Sequence, residues 1–317
     1  MAERITRFPE TAVITEVGPR DGLQSEAVFV PTDRKIALVR ALLDAGLRRF
    51  EITSFVSPRA VPQMRDAAEV VAAFRDRDDV HLTALVPNIR GAEAAIAAGV
   101  DSMVLFASAS ESHNLKNVNR SRAESLKGFA EIARLAEGTG VGLQGAIATV
   151  FGCPFEGEVA PDAVLDQAKA YRDLGMNYIT LGDTTGMATP PVVIDRVRSL
   201  RPALPGIDLA LHFHNTRGVG LACAYAGLGE GIRHYESSIG GLGGCPFVPR
   251  ATGNVSTEDL VYMFHECGVE TGTDLDRLID AARLAESIVG RELPGQVMKA
   301  GPRLRTSPLE SASTANG

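Results

Sequence analysis

The sequence contains few cysteines, and none of them lies at the spacing of a metal or redox motif. The 317 residues include four cysteines: Cys153, Cys223, Cys245 and Cys267. Because no two of them form a C-x-x-C pair, neither a zinc knuckle nor a thioredoxin-like redox site is indicated. Four cysteines are also too few to suggest a disulfide-stapled secreted fold. We therefore expect a protein of the reducing cytoplasm.

Long runs of one residue class are absent as well. The formal net charge is −7 and no long run of Lys or Arg occurs, so neither nucleic acid nor an anionic membrane is an expected partner. No apolar run approaches the roughly 20 residues of a bilayer span. The first residues lack the apolar segment of a signal peptide. The first predicted strand is followed by Gly18-Pro19-Arg20-Asp21-Gly22 and not by G-x-G-x-x-G, which disfavours a dinucleotide-binding fold.

The residues that are present alternate between strand-like and helix-like segments. Predicted strands are Ala12–Val17, Arg49–Thr53, Leu82–Val86, Ser102–Ala107, Gly142–Val150, Tyr178–Leu181, Leu209–Phe213 and Tyr235–Ile239. Predicted helices are Asp33–Asp44, Val61–Phe74, Gly91–Ala98, Ser121–Glu137, Asp162–Leu174, Pro191–Leu200, Val219–Gly229 and Thr257–Glu266. Because parallel strands need covering crossovers, this alternation predicts an α/β fold of the (β/α)₈ TIM-barrel type.

The C-terminal part adds one more helix to this plan. Residues 274–290 form an amphipathic stretch that we expect to pack outside the barrel. Residues 1–300 are then a single catalytic domain, and 301–317, rich in Ser, Ala and Thr, are a flexible tail. Ser256 or Thr257 is expected to cap the N-terminus of the predicted helix Thr257–Glu266.

Polar side chains cluster where the predicted strands end. Since the carboxyl ends of barrel strands and the loops after them build active sites, these are the candidate functional residues. In chain order they are Glu16, Arg20, Asp21, Glu51, Gln144, Asp183, His212, His214 and the loop of residues 240–254.

The motif His212-Phe213-His214 predicts a metal centre. Residues two apart on a strand face the same side, so both imidazoles point into the barrel mouth. Asp21 follows the first strand and Asn254 follows the last, and these strands are neighbours in a closed barrel. Two nitrogen and two oxygen ligands with open positions suit Mg²⁺ or Mn²⁺.

Arg20, Glu51 and a glycine loop complete the candidate chemistry. Arg20 either stabilises a developing enolate or only pairs with Asp21. Glu51 is a general acid/base, a hydrogen-bond acceptor for substrate, or the group that orients Arg20. The stretch Gly240-Gly241-Leu242-Gly243-Gly244-Cys245 is a loop able to approach a ligand and to move, with Cys245 as a candidate proton donor or nucleophile.

These motifs resemble the hydroxymethylglutaryl-CoA lyase family, in register from about residue 12 to residue 300. The matching segments are Glu16–Gln24, Thr53–Arg59, Leu181–Thr184, His212–Asn215, Gly240–Pro246, Gly253-Asn254 and Glu258–Val261. The resemblance implies a TIM barrel that cleaves 3-hydroxy-3-methylglutaryl-CoA to acetyl-CoA and acetoacetate with a divalent metal.

The resemblance also implies a role for individual residues. Asp21, His212, His214 and Asn254 match the metal ligands of the family. Arg20 matches the enolate-stabilising arginine and Cys245 the active-site cysteine, while Glu51, Asp183 and Glu258 match further acidic residues around the site. We expect His212, working with Cys245, to protonate the enolate.

Two loops depart from the family pattern and bear on substrate choice. The chain has Asn117-Val118-Asn119-Arg120-Ser121 where the family usually has Asn-Ile-Asn-Cys-Ser, and residues 247–253 also differ. From charge and rim location, Lys116, Asn117, Arg120 and Arg122 are candidate contacts for the phosphates of an acyl-CoA.

Three alternatives stay open at this point, and a homodimer or higher homo-oligomer is expected in each. The first is a lyase for a related 3-hydroxy-3-alkylglutaryl-CoA or another 3-hydroxyacyl-CoA. The second is a Claisen-type synthase that joins acetyl-CoA to a 2-oxo acid. The third is a non-catalytic scaffold, which predicts no metal binding.

Overall fold

Parallel strands close into a barrel at the centre of the molecule. The computed structural model describes residues 8–244 and 252–306. Within them each strand pairs in parallel with the next, and the last pairs with the first. The strands are β1 (Val13–Glu16), β2 (Arg49–Ser54), β3 (His81–Leu85), β4 (Ser102–Ser108), β5 (Gly142–Ala148), β6 (Tyr178–Asp183), β7 (Asp208–Phe213) and β8 (His234–Ser237). The predicted TIM barrel is confirmed.

Helices surround this barrel. They are α1 (Thr32–Asp44), α2 (Ala67–Ala72), α3 (Ile89–Ala98), α4 (Glu111–Val118), α5 (Arg122–Ala136), α6 (Pro161–Asp173), α7 (Pro190–Leu200), α8 (Gly220–Gly229), α9 (Thr257–Glu266), α10 (Leu275–Val289) and α11 (Val297–Ala300). The predicted C-terminal helix is α10, whose N-terminus is capped by the Asp274 side chain and which contacts α1 and α9 on the outside. Among the described helices, none is both long and apolar enough to cross a bilayer.

Two helix predictions need correction. Val61–Phe74 is not one helix but a 3₁₀ turn at Pro62–Met64 followed by the shorter α2. The carboxylate of Asp66, at the N-cap of α2, makes no cap bond because Lys35 Nζ donates to it at 2.6 Å and Thr32 Oγ1 at 2.8 Å. Helix α4 is an additional element, and the Ser110 side chain caps it.

The end of one strand and the capping of one helix also differ from the prediction. Strand β5 ends at Ala148, two residues before the predicted Val150, because Thr149 adopts a φ of 56° that a pleated strand does not allow. Ser256 is the N-cap residue of α9 but its side chain makes no cap bond. The hydroxyl of Thr257 is also engaged elsewhere, since it donates to Glu16 Oε2 at 2.7 Å.

The barrel interior places polar side chains toward the carboxyl ends of the strands. Strand residues two apart share a face, so Thr180 on β6, His212 on β7 and Glu236 on β8 all line the interior, as their mutual hydrogen bonds show. The opposite faces of these strands are apolar and covered by the helices, as in Ile179, Leu181 and Leu211, all fully buried. These three side chains lead to the mouth that the carboxyl ends of the strands form.

Candidate metal centre and active site

The predicted metal ligands converge at that mouth. One ligand atom each from Asp21, His212 and His214 lies within 4.8 Å of the others. Asp21 is positioned by the helical turn Gly18–Gly22 after β1, and the two imidazoles, 5.3 Å apart between ring centroids, come from the end of β7. Asn254 joins them because it forms an antiparallel bridge with His214. Four side chains from three distant segments thus face one small space.

Unsatisfied atoms in this space fit a bound cation. Asn254 Nδ2 donates to Asp21 Oδ2 at 2.8 Å and to Leu242 O at 3.0 Å, whereas its Oδ1 is buried and has no hydrogen-bond partner among the described residues. Within the same part of the chain, His214 Nδ1 is likewise buried without a partner. Buried polar atoms without partners are rare, and a cation would satisfy both acceptors. The residues present therefore fit a metal ion.

The electrostatics of the ligands point the same way. Burial, with a smaller contribution from His212, lowers the pKa of His214 to about 4, so its ring is neutral at pH 7 and able to ligate. Burial raises the pKa of Asp21, but the charges of Arg20 and the two histidines outweigh burial and bring it to about 2. A charged carboxylate and a neutral imidazole are the forms that bind metal.

Arg20 lies beside the cluster, clamped by two carboxylates. Its Nη1 donates to Asp21 Oδ1 at 2.6 Å and its Nη2 to Glu51 Oε2 at 2.7 Å. Burial lowers the pKa of Arg20, yet Glu51 and Asp21 raise it more, so the guanidinium stays charged. Burial also raises the pKa of Glu51, against the effect of Arg20. Of the alternatives for Glu51, the orientation of Arg20 is the one with a direct contact in the structure.

Two residues expected at the mouth lie elsewhere. Gln144 is the third residue of β5, and its Nε2 lies 3.3 Å from His81 Nε2, at the amino-terminal end of the barrel. Its placement in the site was wrong, because the third residue of a strand that begins at Gly142 lies near the amino-terminal end of the barrel. Glu16 points outward, where it accepts hydrogen bonds from the backbone N–H groups of Gly18 and Ile239.

Asp183 borders the metal cluster without belonging to it. It ends β6, and its Oδ1 accepts from the backbone N–H groups of Met187 and Ala188 at 2.7 and 3.1 Å. Burial raises its pKa to about 6, against these hydrogen bonds and the charge of His212. Asp183 therefore fixes the loop after β6 at the edge of the site.

Glu258 anchors the base of the glycine loop. The Gly240 N–H donates to Glu258 Oε2 at 2.9 Å, and Gly295 approaches the carboxylate so closely that an added Cβ would lie 2.1 Å from Oε1. Gly243, with a φ of 122°, passes so near Asn254 that a Cβ would lie 2.6 Å from Nδ2. The loop thus packs directly against Asn254, a candidate metal ligand. Cys245, predicted at its tip, lies outside the described residues.

The raised pKa of Glu258 leads to a testable dependence of stability on pH. Burial, helped by the nearby Asp259, raises its pKa from 4.5 to about 8. The folded state then binds the extra proton between these values, so this contribution to the free energy of unfolding is complete below pH 4.5 and is lost as the pH rises toward 8. Glu258→Gln should flatten that decline by on the order of 1 kcal/mol per pH unit, measured by urea unfolding. Exposed Glu131→Gln, on α5, is the matched control. A decline of equal slope in Glu258→Gln would contradict this assignment.

The candidate acyl-CoA contacts form a separate group on the rim. Lys116 and Asn117 lie in the last turn of α4 and Arg120 follows it, all three exposed on the side of the barrel where β4 ends. Arg122 is engaged with α6, since its Nη2 donates to Ala163 O at 2.8 Å. The structure therefore leaves the first three accessible from solvent, and their role stays a prediction.

One acidic residue of the site escaped sequence reasoning. Glu236, on β8, accepts from His212 Nδ1 at 3.0 Å and from Thr180 Oγ1 at 2.6 Å. The signal was present in the sequence, because Glu236 is the second residue of a predicted strand and a carboxylate inside a barrel needs a partner. It was missed because only strand ends were searched.

A closed parallel barrel that gathers a carboxylate, an amide and two imidazoles at its C-terminal mouth defines a TIM-barrel protein with a candidate metal centre. The family model described as HMGL-like matches residues 12–285. The chain belongs to this family, as its motifs predict.

Curated relatives and solved structures agree with this assignment. The chain is 40% identical over 289 residues to hydroxymethylglutaryl-CoA lyase YngG of Bacillus subtilis, covering 91% of this chain and 97% of the relative. It is 43% identical over 303 residues to the (R)-citramalyl-CoA lyase of Chloroflexus aurantiacus, covering 92% and 96%. The structure of an HMG-CoA lyase from Acinetobacter baumannii in complex with coenzyme A and 3-methylmalate superposes with a TM-score of 0.88 at 42% identity, covering 96% and 100%.

Proposed function

We propose that the protein is a metal-dependent carbon–carbon lyase that cleaves 3-hydroxy-3-methylglutaryl-CoA to acetyl-CoA and acetoacetate. The observation that carries the proposal is the convergence of Asp21, His212 and His214 within 4.8 Å beside the clamped guanidinium of Arg20. Relatives with the hydroxymethylglutaryl-CoA lyase name at about 40% identity support the reaction and substrate.

The charge of the site favours a divalent ion, Mg²⁺ or Mn²⁺. Asp21 and Glu51 pair with Arg20, and Glu236 adds a third carboxylate beside His212; with both histidines neutral, two negative formal charges remain for a cation to balance. Asp21, His212, His214 and Asn254 would hold it, and mixed oxygen and nitrogen donors suit these ions. When bound, the ion supplies Lewis acidity that lowers the pKa of a coordinated substrate hydroxyl.

Arg20 stabilises the charge that bond cleavage releases. A base removes the proton of the tertiary hydroxyl, the alkoxide collapses to a ketone, and the electrons of the broken bond move into the thioester carbonyl as an enolate. A guanidinium at the barrel mouth offers N–H donors to that oxygen, and its clamp by Asp21 and Glu51 means that no reorganisation is needed. Glu51 thus orients the group that bears the developing charge.

A proton must then reach the enolate carbon. We assign this to Cys245, working beside His212. The Nδ1–H of His212 donates to Glu236 and its Nε2 would hold the ion, so the ring itself has no free proton to give to the carbon. Asp183 fixes the loop after β6, and Glu258 fixes the base of the glycine loop that contains Cys245.

The rest of the acyl-CoA would lie across the rim. The exposed side chains of Lys116, Asn117 and Arg120 lie beside the end of β4 and would meet the phosphates of coenzyme A. We also propose that the protein acts in the cytoplasm as a homo-oligomer. Cys153 and Cys223 form no disulfide among the described residues, which fits the reducing compartment.

A panel of thioesters tests the proposed substrate. Purified enzyme with Mn²⁺ should release acetyl-CoA and acetoacetate from 3-hydroxy-3-methylglutaryl-CoA with the highest kcat/KM of the panel. A specific observation favours (R)-citramalyl-CoA as the second candidate, namely the 43% identity to the Chloroflexus lyase. Retro-aldol cleavage of that thioester would release pyruvate in place of acetoacetate. A higher kcat/KM for citramalyl-CoA would overturn the substrate but keep the reaction. Condensation of acetyl-CoA with a 2-oxo acid, without any cleavage, would overturn both.

A further inference from the structure

The interior residue Glu236 is hydrogen-bonded to His212, a candidate metal ligand. Glu236 on β8 lies opposite His212 on β7 in the strand register. Its Oε2 accepts from His212 Nδ1 at 3.0 Å, and its Oε1 accepts from Thr180 Oγ1 at 2.6 Å. Both oxygens are therefore occupied by protein partners, and the His212 and Glu236 side chains are only 12% and 15% exposed.

This contact decides which ring nitrogen of His212 faces the cluster. A neutral imidazole that donates its Nδ1–H to a carboxylate has its lone pair on Nε2. Nε2 is then the atom available to a cation shared with Asp21. In His214 the buried nitrogen without a hydrogen-bond partner among the described residues is Nδ1, so that atom is the one it offers to the cation. The two histidines of the motif thus present different ring nitrogens.

We propose that Glu236 is a positioning residue that fixes the tautomer and ring orientation of His212 for metal binding, with Thr180 fixing Glu236 in turn. The inference rests on the proposed function, since it concerns the same metal centre. Glu236 is not a catalytic residue in this account, because His212 and Thr180 occupy both of its oxygens. Hydrogen bonds of this kind to a ligating histidine raise its basicity and hold its ring.

The test is the affinity of the intact protein for Mn²⁺, measured by calorimetric titration without substrate. Glu236→Gln keeps the size of the side chain but removes the charge, and should raise the Kd for Mn²⁺ about 10–100-fold. Glu236→Asp keeps the charge and should recover part of that loss. Thr180→Val keeps the Glu236 carboxylate but removes the hydrogen bond to its Oε1, so it should raise the Kd for Mn²⁺ by a smaller factor. Exposed Glu93→Gln, on α3, is the matched control.

Kinetics then separate positioning from general damage to the fold. At Mn²⁺ concentrations far above its raised Kd, Glu236→Gln should regain most of its kcat with an unchanged KM for the thioester. Unchanged Mn²⁺ affinity in both Glu236→Gln and Thr180→Val, with tight binding in the wild type, would refute the role of Glu236 and leave the lyase intact. Absence of Mn²⁺ binding in the wild type would overturn this inference and the proposed metal centre together.

Discussion

Arg20→Lys is expected to lower kcat for thioester cleavage by about 10²–10³-fold, because one preorganised donor to a developing oxyanion contributes that much. Lysine keeps the positive charge but has no planar fork, so it cannot contact Asp21 and Glu51 together while facing the enolate. In the structure these two contacts, at 2.6 and 2.7 Å, come from different nitrogens of the guanidinium. The loss should appear in kcat with little change in KM, since the interaction forms in the transition state.

Two further measurements make this result specific. Calorimetric titration of Arg20→Lys with Mn²⁺ should still show one site per chain, because the arginine is not a ligand. Arg40→Lys, an exposed residue of α1, should match the wild type in every respect. A kcat within about threefold of the wild type would show that Arg20 only pairs with Asp21, the alternative that the sequence left open.

Asp21→Asn should weaken Mn²⁺ binding at least about 100-fold and abolish cleavage at micromolar metal. The substitution preserves shape but removes the negative charge, which the structure holds ionised with a pKa of about 2. Loss of a side chain that only hydrogen-bonds to a metal ligand costs about 10–100-fold in metal affinity, so loss of a charged ligand costs at least as much. The same loss of activity should follow treatment of the wild type with a chelator, with recovery on adding Mg²⁺ or Mn²⁺.

Asp33→Asn is the control for this variant. Asp33 is exposed in the first turn of α1, so the control changes the net charge equally without touching the site. Persistent activity of chelated wild-type enzyme would exclude a metal requirement, as would wild-type metal affinity in Asp21→Asn.

The sequence predicted the barrel because its signals are local. Several strands are short runs buried along most of their length, as in Tyr178–Asp183, and the helices have their own periodicity. Closure then follows from the number of strand–helix units. The missed details depend on tertiary contacts: Asp66 pairs with Lys35 instead of capping α2, and Thr149 ends β5 by its positive φ. Such contacts join residues that are distant in sequence or depend on a single backbone angle.

The metal cluster was also predictable, for a geometric reason. The spacing of His212 and His214 sets their common face, and Asp21 and Asn254 follow strands that a closed barrel makes neighbours. Two-residue alternation gives the face on which a side chain lies, but not which interior side chains bond to one another. Gln144 was placed at the mouth although it is the third residue of its predicted strand, and Glu236 was overlooked because only strand ends were searched.

The most direct test of the account is anomalous diffraction at the manganese edge from crystals grown with Mn²⁺. The account predicts one strong peak at the C-terminal mouth of the barrel, within about 2.0–2.3 Å of an oxygen of Asp21, Oδ1 of Asn254 and one ring nitrogen each of His212 and His214. For His212 that nitrogen should be Nε2. A peak coordinated by other residues, or no peak near these four side chains, would contradict the central claim.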